Sequence, residues 1–232
     1  MNLPDRIRAH VEELRSAPDI VVTTCDIGSG PPRELSADDV DLISDRWGAD
    51  AVDGTRDYLL NTDRIHLSWH SVAHYVHGEF ALTDIRSCMT GWIVEVEDER
   101  LAPEKQELLW ELKGLEEAPG SGRLTALRAT NDELWFYDIT KARLERLALD
   151  FQSYVDNLLL LKGAPNWQYL FADVDLCDDE FTTRVAQLDR TLEALPILFP
   201  DHDYSHLQQR YEERCSGSPV FRRHKSPWAP QP

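Results

Sequence analysis

The chain has 232 residues, 42% of them hydrophobic and 28% charged, with 42 acidic against 24 basic side chains and a formal net charge of −18 at pH 7. A chain of this size buries a core without disulfide or metal staples. The acidic excess argues against nucleic acid and against anionic membrane, whose affinities rest on Lys and Arg; it suits a basic partner, which the field would steer.

The stretch 3–16, LPDRIRAHVEELRS, places Ile7, Val11 and Leu14 at helical spacing, and Pro18 stops the helix. It contains no apolar signal-peptide region, and no run reaches the length of a membrane span. The expected location is therefore cytoplasmic. Cys25, Cys88, Cys177 and Cys215 lie too far apart for a C-x-x-C motif, which fits reduced thiols.

A short strand is expected over 19–28, then a breaker-rich loop to 34. In LSADDVDLISDRWG (35–48), Ser36 and Asp39 have capping-box spacing. Leu35 can staple back, Val40, Ile43 and Trp47 make a buried stripe, and Gly48 ends the helix. A third, shorter helix follows over 51–63.

Residues 63–80, DRIHLSWHSVAHYVHGEF, hold four of the eight histidines. Ile65, Leu67 and Trp69 alternate with His66, Ser68 and His70, which is strand period. Further strands are expected over 78–85 and 91–98. The stretch 103–122 reads as partly helical, ending in a Gly-Ser-Gly loop, and 123–139 as a hairpin across Thr-Asn-Asp.

The longest helix is expected over 141–162, with Leu144, Leu147, Phe151, Tyr154, Val155, Leu158 and Leu159 on one face and Gly163 as its cap. Leu147, Phe151, Val155 and Leu158 should pack on the sheet that carries Trp135 and Tyr137. A further helix from 178 is broken by Pro196, and a last one covers 205–215. From Ser216 the basic tail lacks periodicity and is expected to be mobile or laid across the surface. There is no internal repeat. The expected division is a helix and loop over 1–34, one domain over 35–215 and a flexible tail over 216–232. The fold class is α+β, a mostly antiparallel sheet packed against several helices.

A zinc site needs ligands converging within about 2.0–2.3 Å of one ion. His66, His70 and His74 are the candidate ligands, but on a strand the first two stand about 13 Å apart, and no H-E-x-x-H is present. The reading is no metal and no cofactor. The sequence has no G-x-S-x-G, no P-loop and no dinucleotide fingerprint. Cys88, near Arg86, reads as a buried thiol. The acids from Asp173 to Glu180 read as a helix start, because an EF-hand needs a central Gly and a closing Glu that are missing.

Three stretches together, IHLSWHS...YVHGEFALTDI, LWFYDI...LALDFQSYVDNLLLLKG and LSADDVDLISDRWG...TRDYLL, resemble the SUKH superfamily over roughly residues 35–172. The Trp-Asp/Glu-Gly element appears as Trp69-His70-Ser71, and DAVDG replaces the usual Leu-Pro. The resemblance implies an α+β binding module, of a group in which many members are intracellular immunity proteins that neutralise toxins, often nucleases.

Three functions stay open at this point. A binding module with a protein partner, such as a basic toxin domain, would use Trp69, His70, Tyr75, Glu79, Trp135, Tyr137 and Asp138, with Glu79 and Asp138 as surface acids. An enzyme or accessory protein of a biosynthetic pathway would use His66, His70, His74 and His77 for acid–base or metal chemistry on a small molecule, in a pocket lined by Trp69, Tyr75 and Tyr137. A scaffold would dock partners on the 141–162 helix.

Overall fold

A computed structural model describes residues 2–56, 58–90, 98–128, 131 and 133–215. The elements in chain order are α1 (Leu3–Ser16), β1 (Ile20–Asp26), α2 (Ala37–Trp47), α3 (Ala49–Arg56), β2 (Arg64–Ser71), β3 (His77–Thr83), α4 (Ile85–Thr90), α5 (Pro103–Leu109), β4 (Leu112–Ala118), β5 (Arg123–Arg128), β6 (Leu134–Asp138), β7 (Arg143–Arg146), α6 (Phe151–Leu160), α7 (Thr182–Leu198) and α8 (Ser205–Cys215). The fold is α+β. Among the described residues, seven strands form one antiparallel sheet in sequence order, each paired with the next. Among the described residues, no helix is long and apolar enough to cross a membrane.

The local signals of the N-terminal half act as expected. Ser36 Oγ accepts from Asp39 N–H while the Asp39 carboxylate accepts from Ser36 N–H, closing the capping box. Ile65, Leu67 and Trp69 all point into the main core. Leu3, Ile7, Val11 and Leu14 of α1 enter that same core, and β1 completes the sheet edge beside β2. The first 34 residues thus share the core and sheet of the rest. The expected strand at 91–98 lies outside the described residues but for Asp98, which is not in a strand, and the tail from Ser216 lies wholly outside them.

Three expectations are corrected. The stretch 103–122 is helical over α5 and ends in its Gly-Ser-Gly turn, but residues 112–118 between them form β4, paired with β3 and β5, where no strand was expected. The helix expected over 141–162 is two elements. Arg143–Arg146 pairs with β6, Tyr137 opposite Leu144, and Leu147 bridges Ala172. Only at Phe151 does a helix begin, where Asp150 Oδ1 accepts from Ser153 N–H at 2.7 Å. Leu144 and Leu147 suit a helix stripe, but the open edge of β6 offers hydrogen bonds that a helix there would forgo.

Pro196, the third, does not break its helix, since α7 runs on to Leu198 and is longer than α6. Proline denies the Leu192 carbonyl its helical donor, and Gln208 Nε2 on α8 lies 3.5 Å from that oxygen instead.

The two faces of the sheet carry separate cores. Leu134 and Phe136 face the large core with Tyr154, Val155 and Leu158 of α6. Trp135 and Tyr137 face the other way, into a smaller cluster with Leu101 and Leu109. α6 therefore packs on the sheet that carries Trp135 and Tyr137, as expected, but against Leu134 and Phe136 on its other face, because adjacent strand residues point to opposite sides. Phe151 is only half-buried, edge-on to Tyr58 at 5.1 Å.

A bulge between Gly114 and Glu116 turns both Leu115 and Glu116 inward. There Tyr154 Oη donates to Glu116 at 2.7 Å, with Thr125 Oγ1 at 2.8 Å and Gln168 Nε2 3.3 Å from the same carboxyl. Burial dominates these bonds and pushes the Glu116 carboxyl up to about 7.

Two outcomes follow from this core. Leu158→Ala is expected to cost about 2–5 kcal/mol in chemical denaturation, and Phe151→Ala distinctly less. Because the folded chain holds the Glu116 proton more tightly than the unfolded one, that stabilisation is complete below about 4.5 and is lost as pH rises through about 7. Relative to Glu116→Gln, the native chain should lose about 3 kcal/mol of unfolding free energy across that window, measured by urea denaturation at each pH.

Candidate functional site

The seven residues expected to bind do not form one surface. Trp69 is core: its Nε1 donates to the Lys162 carbonyl at 2.7 Å and its ring meets Phe199 edge-on at 6.3 Å. Tyr137 is also buried and donates to Asp98 at 2.6 Å. Trp135 is half-buried on that same face. Glu79 is half-buried and bonded to His66 Nε2 at 2.9 Å.

Asp138 requires a correction, for it is 0% exposed. Tyr169 Oη and Arg184 donate to its Oδ2 at 2.6 and 2.7 Å, and Thr140 Oγ1 donates to its Oδ1 at 2.5 Å. Burial alone would raise this carboxyl, but the bonds from Thr140, Tyr169 and Arg184 outweigh it and hold the group below its usual range. The acid therefore ties β6 to α7 and is out of reach of a partner.

The histidines also separate. His66 is taken by Glu79, His70 lies opposite His77 across the β2–β3 ladder, and His74 sits in the turn beyond, its N–H donating to Ser71 Oγ. Among the described residues, no group of three His, Cys, Asp or Glu is placed to hold a metal ion. Cys88 is buried, and burial pushes its thiol up to about 12, so it is not an activated nucleophile. The acidic stretch after Ala172 is partly spent locally: Asp175 accepts from Cys177 N–H, and Glu180 pairs with Arg143.

What stands out instead is the turn joining β2 to β3, residues 72–76. Ser71 N–H donates to the Val76 carbonyl at 2.8 Å, so the turn is anchored at its base. Tyr75 takes the left-handed conformation, φ +53°, which a bulky residue rarely adopts. The residue is 80% exposed, and Val72 and Ile197 are 64% and 66% exposed. Tyr75 and Ile197 line one open cleft of about 620 Å³ together with His74, Arg190 and Glu193. Val21, exposed on edge strand β1, pairs with His70 at the same end of the sheet. Of the exposed large hydrophobics among the described residues, Val21 lies with His70 on the face turned away from the main core, and Trp110 belongs elsewhere.

Of the expected residues, the cleft unites Tyr75 and His74; His70 faces the other side of the sheet, because its neighbour Trp69 points into the core. Val21, Val72 and Ile197 were not anticipated. Apolar residues in a turn and just after Pro196 carry the only available signal, and exposure depends on what packs nearby.

A scan against protein-family models, a search of curated proteins and a search of solved structures each return no match for this chain.

Asp138→Ala, which leaves Arg184 without its carboxylate, is expected to cost about 3–5 kcal/mol in thermal or chemical unfolding. An exposed acid would lose almost nothing.

Proposed function

We propose that this chain is a non-catalytic protein-binding module of the SUKH-like immunity type, which docks a basic protein partner such as a toxin domain through the β2–β3 turn. The observation that carries the reading is Tyr75, a large aromatic displayed at 80% exposure in a left-handed conformation. Backbone strain of this kind costs on the order of 1–3 kcal/mol and persists where the surroundings enforce it. An exposed aromatic beside Val72 and Ile197 makes an apolar anchor, and tyrosine is among the residues that dominate interface energies.

The chain's charge of −18 supports a basic partner, by speeding encounter and excluding acidic competitors. The stretches that carry the SUKH resemblance correspond to α2 and α3, to β2 and β3, and to the run from β6 to α6.

The test is calorimetric titration of the purified chain with an inactivated form of the protein encoded by the adjoining gene. Tyr75→Ala should weaken binding by about thirtyfold or more, the effect of losing a hot spot of roughly 2 kcal/mol. Its unfolding midpoint should stay within about 0.5 kcal/mol of the native chain. Native binding should also weaken between about 50 and 300 mM salt. Affinity unmoved by Tyr75→Ala and Ile197→Ser would remove this face from the interface.

A further inference from the structure

A second cleft, of about 630 Å³, opens where the end of β7, the approach to α6, the segment after Phe171 and α8 meet. The docking reading uses none of its residues.

The cations of this cleft are of two kinds. Arg146 is spoken for, since its guanidinium pairs with Glu133 at 3.2 Å. Arg210 and Arg214 stand one turn apart on α8, and among the described residues neither has a carboxylate as ion-pair partner. Both hold main-chain carbonyls instead. Arg210 Nε donates to Leu170 at 2.6 Å, and Arg214 Nη2 donates to Ala172 and to Val174, each at 2.6 Å. These bonds fix two like charges at a helical spacing where they repel. Burial and the Arg214 charge hold the Arg210 guanidinium below its usual pKa, and Glu213 opposes them only in part. A guanidinium stays charged all the same. In a chain with 42 acidic against 24 basic residues, this pair is left without an anion of its own.

The remaining donors are open to a ligand. Arg210 lies over the Phe171 ring, 4.6 Å from its centroid. Stacking occupies the flat face of the guanidinium and leaves its in-plane N–H groups available. Arg210 Nη1 and Nη2 and Arg214 Nη1 make no bond to the described residues, and none of the three is buried. Arg214 Nε, by contrast, is buried and takes no part.

Three features choose the ligand. Neighbouring guanidinium groups match the paired oxygens of a carboxylate or a phosphate. Asp150 and Asp173, both exposed at the same cleft, would repel a second negative charge. Ala148, exposed, and Leu149, half-buried, offer apolar surface beside the charges. We propose that this cleft binds a small monocarboxylate with an apolar body, its oxygens accepting from the Nη groups of Arg210 and Arg214 and its body resting on Ala148 and Leu149.

Four probes separate the possibilities: 3-phenylpropionate, its uncharged amide, 3-phenylpropylamine, and inorganic phosphate above its second ionisation. Each is titrated into the full chain while the arginine Nε–H signals are followed by ¹⁵N NMR. 3-Phenylpropionate is expected to shift the Arg210 signal saturably with a Kd of about a millimolar or below, and the other three to bind at least about tenfold more weakly. Arg210→Gln, which removes the charge, should weaken 3-phenylpropionate by about tenfold or more. No saturable Arg210 shift in the native chain, or any of the other probes binding as tightly as the carboxylate, would overturn the proposal whether or not the variant folds. So would undiminished 3-phenylpropionate affinity in folded Arg210→Gln.

Discussion

The turn that ends α6 lies against the β2–β3 hairpin so closely that two glycines are required there. A Cβ on Gly78 would stand 2.0 Å from the Lys162 carbonyl oxygen and 2.4 Å from Trp69 Nε1. A Cβ on Gly163 would stand 2.5 Å from the Phe80 ring. Within that contact Trp69 donates to the Lys162 carbonyl, and Glu79 N–H donates to the Gly163 carbonyl. Lys162 and Gly163 both take left-handed conformations, and Gly163 N–H closes back on the Leu158 carbonyl. The strain at Lys162 is offset by the Trp69 indole bond to its carbonyl and by the pairing of its buried ammonium with Glu13. Through this one turn α6, α1 and the hairpin acquire fixed positions relative to one another.

Buried polar networks extend the same constraint along the sheet. Glu13 joins α1 to Lys162 and His202, Glu116 joins β4 to Tyr154 and Gln168, and Asp138 joins β6 to Tyr169 and Arg184. Such networks add little net stability over an apolar core, but losing one partner leaves the other buried and uncompensated. They select one packing of the C-terminal helices on the sheet. An acidic chain thereby keeps several cations inside, paired, while much of its negative charge faces solvent.

That frame gives the proposed docking turn its character. The β2–β3 turn is anchored at Ser71 and Val76, so Tyr75 is presented without first being ordered, which favours affinity in a docking surface. The cleft between α1 and the end of α6 includes Lys162 itself. The two approach each other in the chain at the end of α7, where Ile197 belongs to the first and His202 to the second. Phe199, packed on both Trp69 and Lys162, lies between them in sequence.

Much of the fold was legible from residue order. The alternation at Ile65, Leu67 and Trp69, the hairpin spacing around Asn131, the stripe of α1 and the Ser36–Asp39 cap are local signals, and each formed as read. The errors have one cause. Whether RLER becomes helix or strand depended on the free edge of β6, and whether Pro196 ended its helix depended on Gln208 twelve residues on. The candidate sites were less legible. A tyrosine in a turn and an aspartate at a strand end looked equally fit for a surface. One is exposed because none of the described residues covers the turn, and the other is buried because Tyr169 and Arg184, 31 and 46 residues away, close over it. Periodicity and capping are properties of neighbours in the chain, so the sequence determined the elements. Exposure and charge pairing are properties of neighbours in space, so only the tertiary structure decided which side chains a partner can reach.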